Sequence, residues 1–264
     1  MVNPTIHLCA WLILLAIVVI EAANLAEPKV PKGDLHIQLD NELATISSTG
    51  EKLPAAYDQF RNVVLHSHIV FKEDVSTITP AQLFQMAADA QREIRPEMEQ
   101  YEFGPRAIPF VMSILAVGRE IYFASPRGGP GAFTFQYVPS PVVKALELCQ
   151  QDFKGTSGKD TAHTNGGNCG EVMCAHLYYR CNGPSAQPLK GQNGRILTVQ
   201  TLKDQKDIVP KAPCGGDAKR LNWGCNLFVE KEGLEVLNVK EGTPYDLDTI
   251  AGGWIEKSQV PTCQ

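Results

Sequence analysis

The sequence predicts an α/β fold with one sheet and helices on its faces, and three observations carry that prediction. Residues 80–94 place Leu83, Met86, Ala87, Ala90 and Ile94 on one side at helical spacing. Residues 108–116 and 120–125 are nearly continuous apolar segments, rich in branched and aromatic side chains and separated by Val117, Gly118 and Arg119, which is a hairpin signal. Helical and strand patterns then alternate through residues 141–153, 171–180, 195–202, 226–232 and 234–239.

Each element has a local reason. Residues 27–58 are broken by Pro28, Pro31, Gly33, Gly50 and Pro54, so they read as a loose lead-in with one short strand at 36–39. A first helix is expected over 55–64. In the next, Thr79 is placed to cap, Pro80 suits the first helical position and Pro96 is expected to end the run. The hairpin should lie in the middle of the sheet with Val111, Ile114, Ile121 and Phe123 buried, because both strands are apolar on both faces. Val142, Ala145, Leu146 and Cys149 share one face of the helix at 141–153. The polar, glycine-rich stretch 155–167 ends just before Cys169, which therefore stands at a helix N-terminus. Gly233 closes the helix at 226–232 from the position after its last turn.

The first residues carry a targeting signal in this reading. The apolar run 8–20 is 13 residues long, too short to span a bilayer, where about 20 are needed, and Ala22 suits a cleavage position. The chain is therefore expected to be secreted and extracellular, with no stable membrane association after cleavage. Its formal charge of −5 and the absence of a polybasic stripe give no support to tight nucleic-acid binding. Loss of Cys9 with the signal leaves Cys149, Cys169, Cys174, Cys181, Cys214, Cys225 and Cys263. An odd number cannot all pair, which implies a free thiol, an intermolecular bridge or thiolates given to a metal.

Three segments make one chemical proposal: Cys169-Gly170-Glu171 at a helix start, Pro213-Cys214 after a strand, and Cys225 opening a helix. This order resembles the zinc-dependent cytidine deaminase superfamily, whose signature is His or Cys, any residue, Glu, and a downstream Pro-Cys with a further Cys. The resemblance covers about residues 80–240 and implies a three-layer α/β/α sheet with helices on both faces. It implies Zn2+ held by Cys169, Cys214 and Cys225, with an open fourth position, and Glu171 as the acid–base group outside the coordination shell. The chain would then divide into a signal at 1–22, a partly helical extension at 23–79, the deaminase-like domain at 80–240 and a tail at 241–264. The family's two downstream cysteines are two residues apart, whereas ten residues, 215–224, separate Cys214 from Cys225. A single helix there would hold the two about 16 Å apart, so the segment is expected to be a loop insertion. Asp217 is the fallback third ligand and His163 a weaker one.

His163, Thr164 and Asn165 precede the motif and are candidates to line a substrate pocket, with His163 and Asn165 named as substrate-binding. The implied reaction is hydrolytic loss of an amino group from a nucleobase or nucleoside, with nucleic acid a further candidate substrate, and a toxin or effector role is one the resemblance allows. The four cysteines outside the metal set, Cys149, Cys174, Cys181 and Cys263, are expected to form disulfides. Cys174 and Cys181 should not pair within one helix, where they would stand about 10 Å apart. The competing class is a non-catalytic, disulfide-stabilised interaction protein in which zinc is absent or structural. A structural site would fill and bury four ligands.

Overall fold

Alternating burial along adjacent strands sets the layering. A computed structural model describes residues 24–46, 62–133, 140–202, 207–215 and 222–258. Strand β3 (Val111–Val117) is buried throughout and pairs with β4 (Glu120–Ala124) across a two-residue turn, Val117 facing Glu120. Gly118 takes φ 57° in that turn, a value that favours glycine. Successive side chains go to opposite faces. Met112, Ile114, Ala116, Ile121 and Phe123 enter one core, and Leu115, Val117, Tyr122 and Ala124 enter the other. The sheet therefore has two buried faces and needs a helical layer on each.

After the short α1 (Asn41–Ala44), the first layer is α2 (Pro80–Gln100), which starts as expected: the Thr79 hydroxyl accepts from the Gln82 N–H, and Gln82 Oε1 accepts from the Thr79 N–H. The expected end at Pro96 is corrected, because the helix runs on to Gln100 with Pro96 inside it. Pro96 has no N–H to offer the carbonyl of Arg92, which stands at an exposed position, while Ile94, Glu97 and Met98 remain buried against the sheet. Packing of the next turn outweighs one missing bond.

The second layer holds α3 (Pro141–Ser157), α4 (Gly170–Asn182) and α5 (Cys225–Lys231). Val142, Ala145, Leu146 and Cys149 are buried on α3, and α4 contributes Val172, Met173, Ala175 and Leu177 to the same core. The result is a mixed sheet flanked by helices on both faces.

Strand order in the sheet is β1-β2-β4-β3-β5-β6, where β1 is Gln38–Leu39, β2 Leu65–Phe71, β5 Arg195–Thr201 and β6 Ile208–Pro210. Strand β7 (Glu235–Val236) pairs parallel to β5, and β8 (Trp254–Ser258) pairs with β2. The hairpin lies inside the sheet, with Val111, Ile114, Ile121 and Phe123 all buried, as expected. Strands β2 and β8 come from outside residues 80–240 and extend the sheet on its β4 side. The expected helix at 55–64 is corrected over its described part: Val63 bridges Gly128 in an extended segment, and residues 55–61 lie outside the described residues. The strand expected at 234–239 is reduced to two residues. The expected export signal at 1–22 also lies outside the described residues, among which no helix is long and apolar enough to cross a membrane.

Candidate metal centre

The Cys-Gly-Glu segment sits where α4 meets the sheet. Cys169 is the N-cap of α4, with no bond from its sulfur to the helix, and Glu171 lies in the first turn. Gly170 between them has a steric role: a Cβ there would overlap Ser113 Oγ and lie 2.9 Å from the carbonyl oxygen of Ala124. The helix therefore starts directly against β3 and β4, which holds Cys169 and Glu171 at the sheet's end.

Cys214 and Cys225 are brought together by a pinch between two glycines. A Cβ on Gly215 would be 2.7 Å from Gly224 N, and a Cβ on Gly224 would overlap the Cys214 carbonyl oxygen. Gly215 also has φ 93°. The Asn226 N–H donates to the Cys214 carbonyl at 2.9 Å, and the Cys225 N–H to Cys214 Sγ at 3.2 Å. The ends of the segment thus meet as the stem of a loop, with Cys225 opening α5. Asp217, the fallback ligand, lies outside the described residues.

These elements gather His163, Cys169, Cys214 and Cys225, whose donor atoms all lie within 4.8 Å of one another. Cys169 Sγ is 3.5 Å from Cys214 Sγ, and His163 Nε2 is 3.4 Å from Cys225 Sγ and 3.8 Å from Cys214 Sγ. A tetrahedral zinc with Zn–S of about 2.3 Å requires S···S edges of about 3.8 Å, so the donor set suits such an ion. The Cys214 thiol is held far below the usual range by hydrogen bonds from Cys169 and Cys225, against burial, with His163 adding to the effect. Cys169 is pushed up mainly by its bond to Cys214, and Cys225 mainly by burial.

His163, which the sequence offers both as a weaker ligand and as a substrate-binding residue, points its Nε2 at the sulfurs. Trp223 packs edge-on against the ring, and the loop is tied down by Thr164, which donates to the Trp223 carbonyl, and by Trp223 Nε1, which donates to Thr161. Gly166 and Gly167, at φ 61° and 74°, turn the chain back over the ring. His163 Nδ1 consequently accepts from the N–H groups of Asn165 and Gly167, at 3.0 and 3.1 Å. A nitrogen that accepts carries no proton, so the neutral ring bears its hydrogen on Nε2. Metal-bound imidazoles show the opposite polarity, donating from the distal nitrogen. Asn165 Nδ2 donates to Cys169 Sγ at 3.3 Å.

Glu171 is buried, and Thr198 Oγ1 donates to its Oε1 at 3.0 Å. Burial raises its pKa above the ordinary carboxylate value, with its own N–H and Thr198 acting against that rise. Glu171, Cys169 and Cys214 line a cavity of about 680 Å³, whose wall also includes Asn165, Thr198, Arg106, Phe110 and Lys211. Phe110 is 63% exposed, an apolar ring at the cavity wall.

The expected disulfides are corrected, because no disulfide forms among the described residues and Cys149, Cys174 and Cys181 are free thiols. Cys149 is buried among the helices, and Cys174 Sγ points under the sheet at the carbonyls of Ser113 and Tyr122, 3.4 and 3.6 Å away. Cys181 Sγ meets an imidazole, His68. Each sulfur faces a partner other than sulfur, and Cys263 lies outside the described residues. Cys174 and Cys181 share α4 and remain unpaired, as their spacing requires.

Comparison with models of known families, with curated proteins and with solved structures returns no match. The chemistry of the site therefore has to be argued from its geometry.

Proposed function

We propose that the chain is a zinc-dependent hydrolytic deaminase acting on a nucleobase or nucleoside, with Cys169, Cys214 and Cys225 as ligands and Glu171 as its acid–base residue. The observation that carries this reading is the placement of Glu171: a buried carboxyl of raised pKa, two residues from Cys169, on the wall of the cavity that Cys169 and Cys214 also line. Zinc, when bound, supplies the Lewis acidity that makes water a nucleophile at neutral pH. Glu171 would take one proton from the attacking water and pass it to the ring nitrogen, then take the second from the new hydroxyl group and pass it to the amine, which leaves as ammonia. Thr198 holds the carboxyl in place through Oε1, and burial raises its proton affinity, which helps it keep a transferred proton. The cavity exceeds what a base alone needs, and Arg106, Lys211 and Phe110 suit a substrate with a polar or anionic substituent. His163 would donate Nε2–H to the sulfurs, so that it would not itself serve as a ligand. An export role for residues 1–22 rests on the sequence, and N-terminal sequencing of the mature chain tests it. A toxin or effector role draws on the family resemblance alone.

A second reading is favoured by one observation, the arrival of His163 Nε2 within 3.4 Å of Cys225 Sγ. With the ring as a fourth ligand the site would be closed and structural, in a non-catalytic protein. His163→Asn separates the two. Zinc content close to one equivalent in the variant supports the donor role and an open site; loss of zinc supports the closed one. Release of ammonia from a panel of bases and nucleosides, abolished by Glu171→Gln with zinc retained, is the test of the deaminase reading.

A further inference from the structure

The other end of α4 carries a second cluster, which the metal centre does not use. Cys181 is the exposed thiol among the described cysteines. Its Sγ lies 3.5 Å from His68 Nδ1 and 3.9 Å from Nε2. His68 Nε2 faces Glu120 Oε2 at 3.1 Å, and the ring stacks on Tyr122 with centroids 4.6 Å apart. Tyr122 donates its hydroxyl to the same Glu120 oxygen and receives a bond from Asn182 Nδ2 at 3.1 Å.

Two strands and a helix build this arrangement. His68 comes from the middle of β2, Glu120 and Tyr122 from β4, and Cys181 and Asn182 from the last turn of α4, while Ser258 of β8 places Oγ 3.3 Å from His68 Nδ1. Nε2–H directed at a carboxylate leaves Nδ1 as the nitrogen that can take a proton from sulfur, and the buried ring, 4% exposed, cannot turn away from that orientation. Sulfur and carboxylate lie nearest different ring nitrogens, which is the layout of a nucleophile, a base and an orienting acid.

We propose that Cys181, His68 and Glu120 form a second reactive site, a thiol–imidazole–carboxylate relay that exchanges with low-molecular-weight disulfides. His68 Nδ1 holds the proton that the sulfur has given up, so Sγ attacks one sulfur of R–S–S–R as a thiolate beside the imidazolium. A new S–S bond joins Cys181 to R–S, the original S–S bond breaks, and the leaving R–S⁻ takes the proton back from the imidazolium. Cys181 is oxidised to the mixed disulfide, one half of the reagent is reduced to its thiol, and no other oxidant is consumed. Cys149 and Cys174 are buried and cannot do the same, and the proposal is independent of the deaminase reading. Against the effect of burial, the hydrogen bonds that the ring donates to Cys181 and Glu120 raise His68 to about 9, so the ring carries its proton next to sulfur and carboxylate at neutral pH.

The test treats the full zinc-loaded chain with oxidised glutathione and locates the adduct by peptide mass. Glutathione is expected on Cys181, at about pH 6 and on the order of tenfold faster than on a cysteine peptide of the same local sequence. His68→Asn should return the rate to that of the peptide. Since His68 is buried and its substitution can unfold the chain, the unsubstituted protein supplies a second readout. Between about pH 8 and pH 6 the Cys181 rate should fall less than about tenfold, against on the order of a hundredfold for a simple thiol. A rate and pH profile matching the peptide, an adduct on Cys214 in place of Cys181, or no adduct at all would each overturn the proposal.

Discussion

Gly170→Ala probes whether the start of α4 is held against the sheet for the sake of the metal centre. The added methyl would overlap Ser113 Oγ and come within 2.9 Å of both Ser113 Cβ and the Ala124 carbonyl oxygen. The backbone oxygen cannot rotate aside, and Ser113 Oγ is held at 2.7 Å by Thr198 Oγ1, the hydroxyl that also donates to Glu171. Overpacking of this kind costs about 1–3 kcal/mol, which lowers the melting temperature by about 2–4 °C per kcal/mol in a chain of this size. The helix start must lift, carrying Cys169 and Glu171 with it, so zinc affinity should fall together with stability. Calorimetry and a competitive zinc titration on the same samples read both effects. Ser113→Ala removes the nearest atom but not the Ala124 carbonyl, so Gly170→Ala should cost less on a Ser113→Ala background than alone. A Gly170→Ala chain with unchanged melting temperature and zinc affinity refutes the reasoning.

Zinc uptake should release protons, because Cys169 and Cys225 have raised pKa values and must lose theirs to bind; calorimetry in buffers of different ionisation enthalpy counts them, and a value near zero contradicts the reasoning. Phe123→Ala should cost about 3–5 kcal/mol in urea unfolding, since the ring is fully buried on the α2 side of the sheet. His68, raised from 6.5 to about 9, gives stability that is present in full below pH 6.5 and lost as pH rises through about 9. The difference between the native chain and His68→Asn should shrink by up to about 3 kcal/mol over that range, and a difference that grows with pH would show the wrong sign.

Much of the fold could be read because its signals are local. Thr79, Pro80, Gly118 and Gly233 act within a few residues of themselves, and the elements they bound stand close to where the pattern puts them. Strand β2 escaped notice for the opposite reason. Its sequence, Leu-His-Ser-His-Ile-Val-Phe, carries three polar side chains, and two of them are buried against distant groups that satisfy them: Ser67 by the Leu35 carbonyl and His68 by Glu120. Pro96 misled because its local cost is overruled by the packing of Glu97 and Met98. The cysteines and Glu171 could be picked out from motif order. His163 could be named only as a weaker ligand, since the turn of its ring toward sulfur depends on Nδ1 capturing two N–H groups of its own loop and on Trp223 arriving from another segment. The disulfide expectation failed because counting thiols says nothing of which carbonyl or ring each one meets.

The pinch of Gly215 against Gly224 makes the chain length between Cys214 and Cys225 independent of the distance between their sulfurs. Whatever leaves the stem at one glycine returns at the other, so residues can be added or removed between them without moving either donor. Doubling such a loop costs only about 0.6 kcal/mol of closure entropy. The stem lies beside Cys214, at the cavity's edge. Evolution, or an engineer, can therefore change the number of residues between the two glycines while Cys214 and Cys225 stay in place.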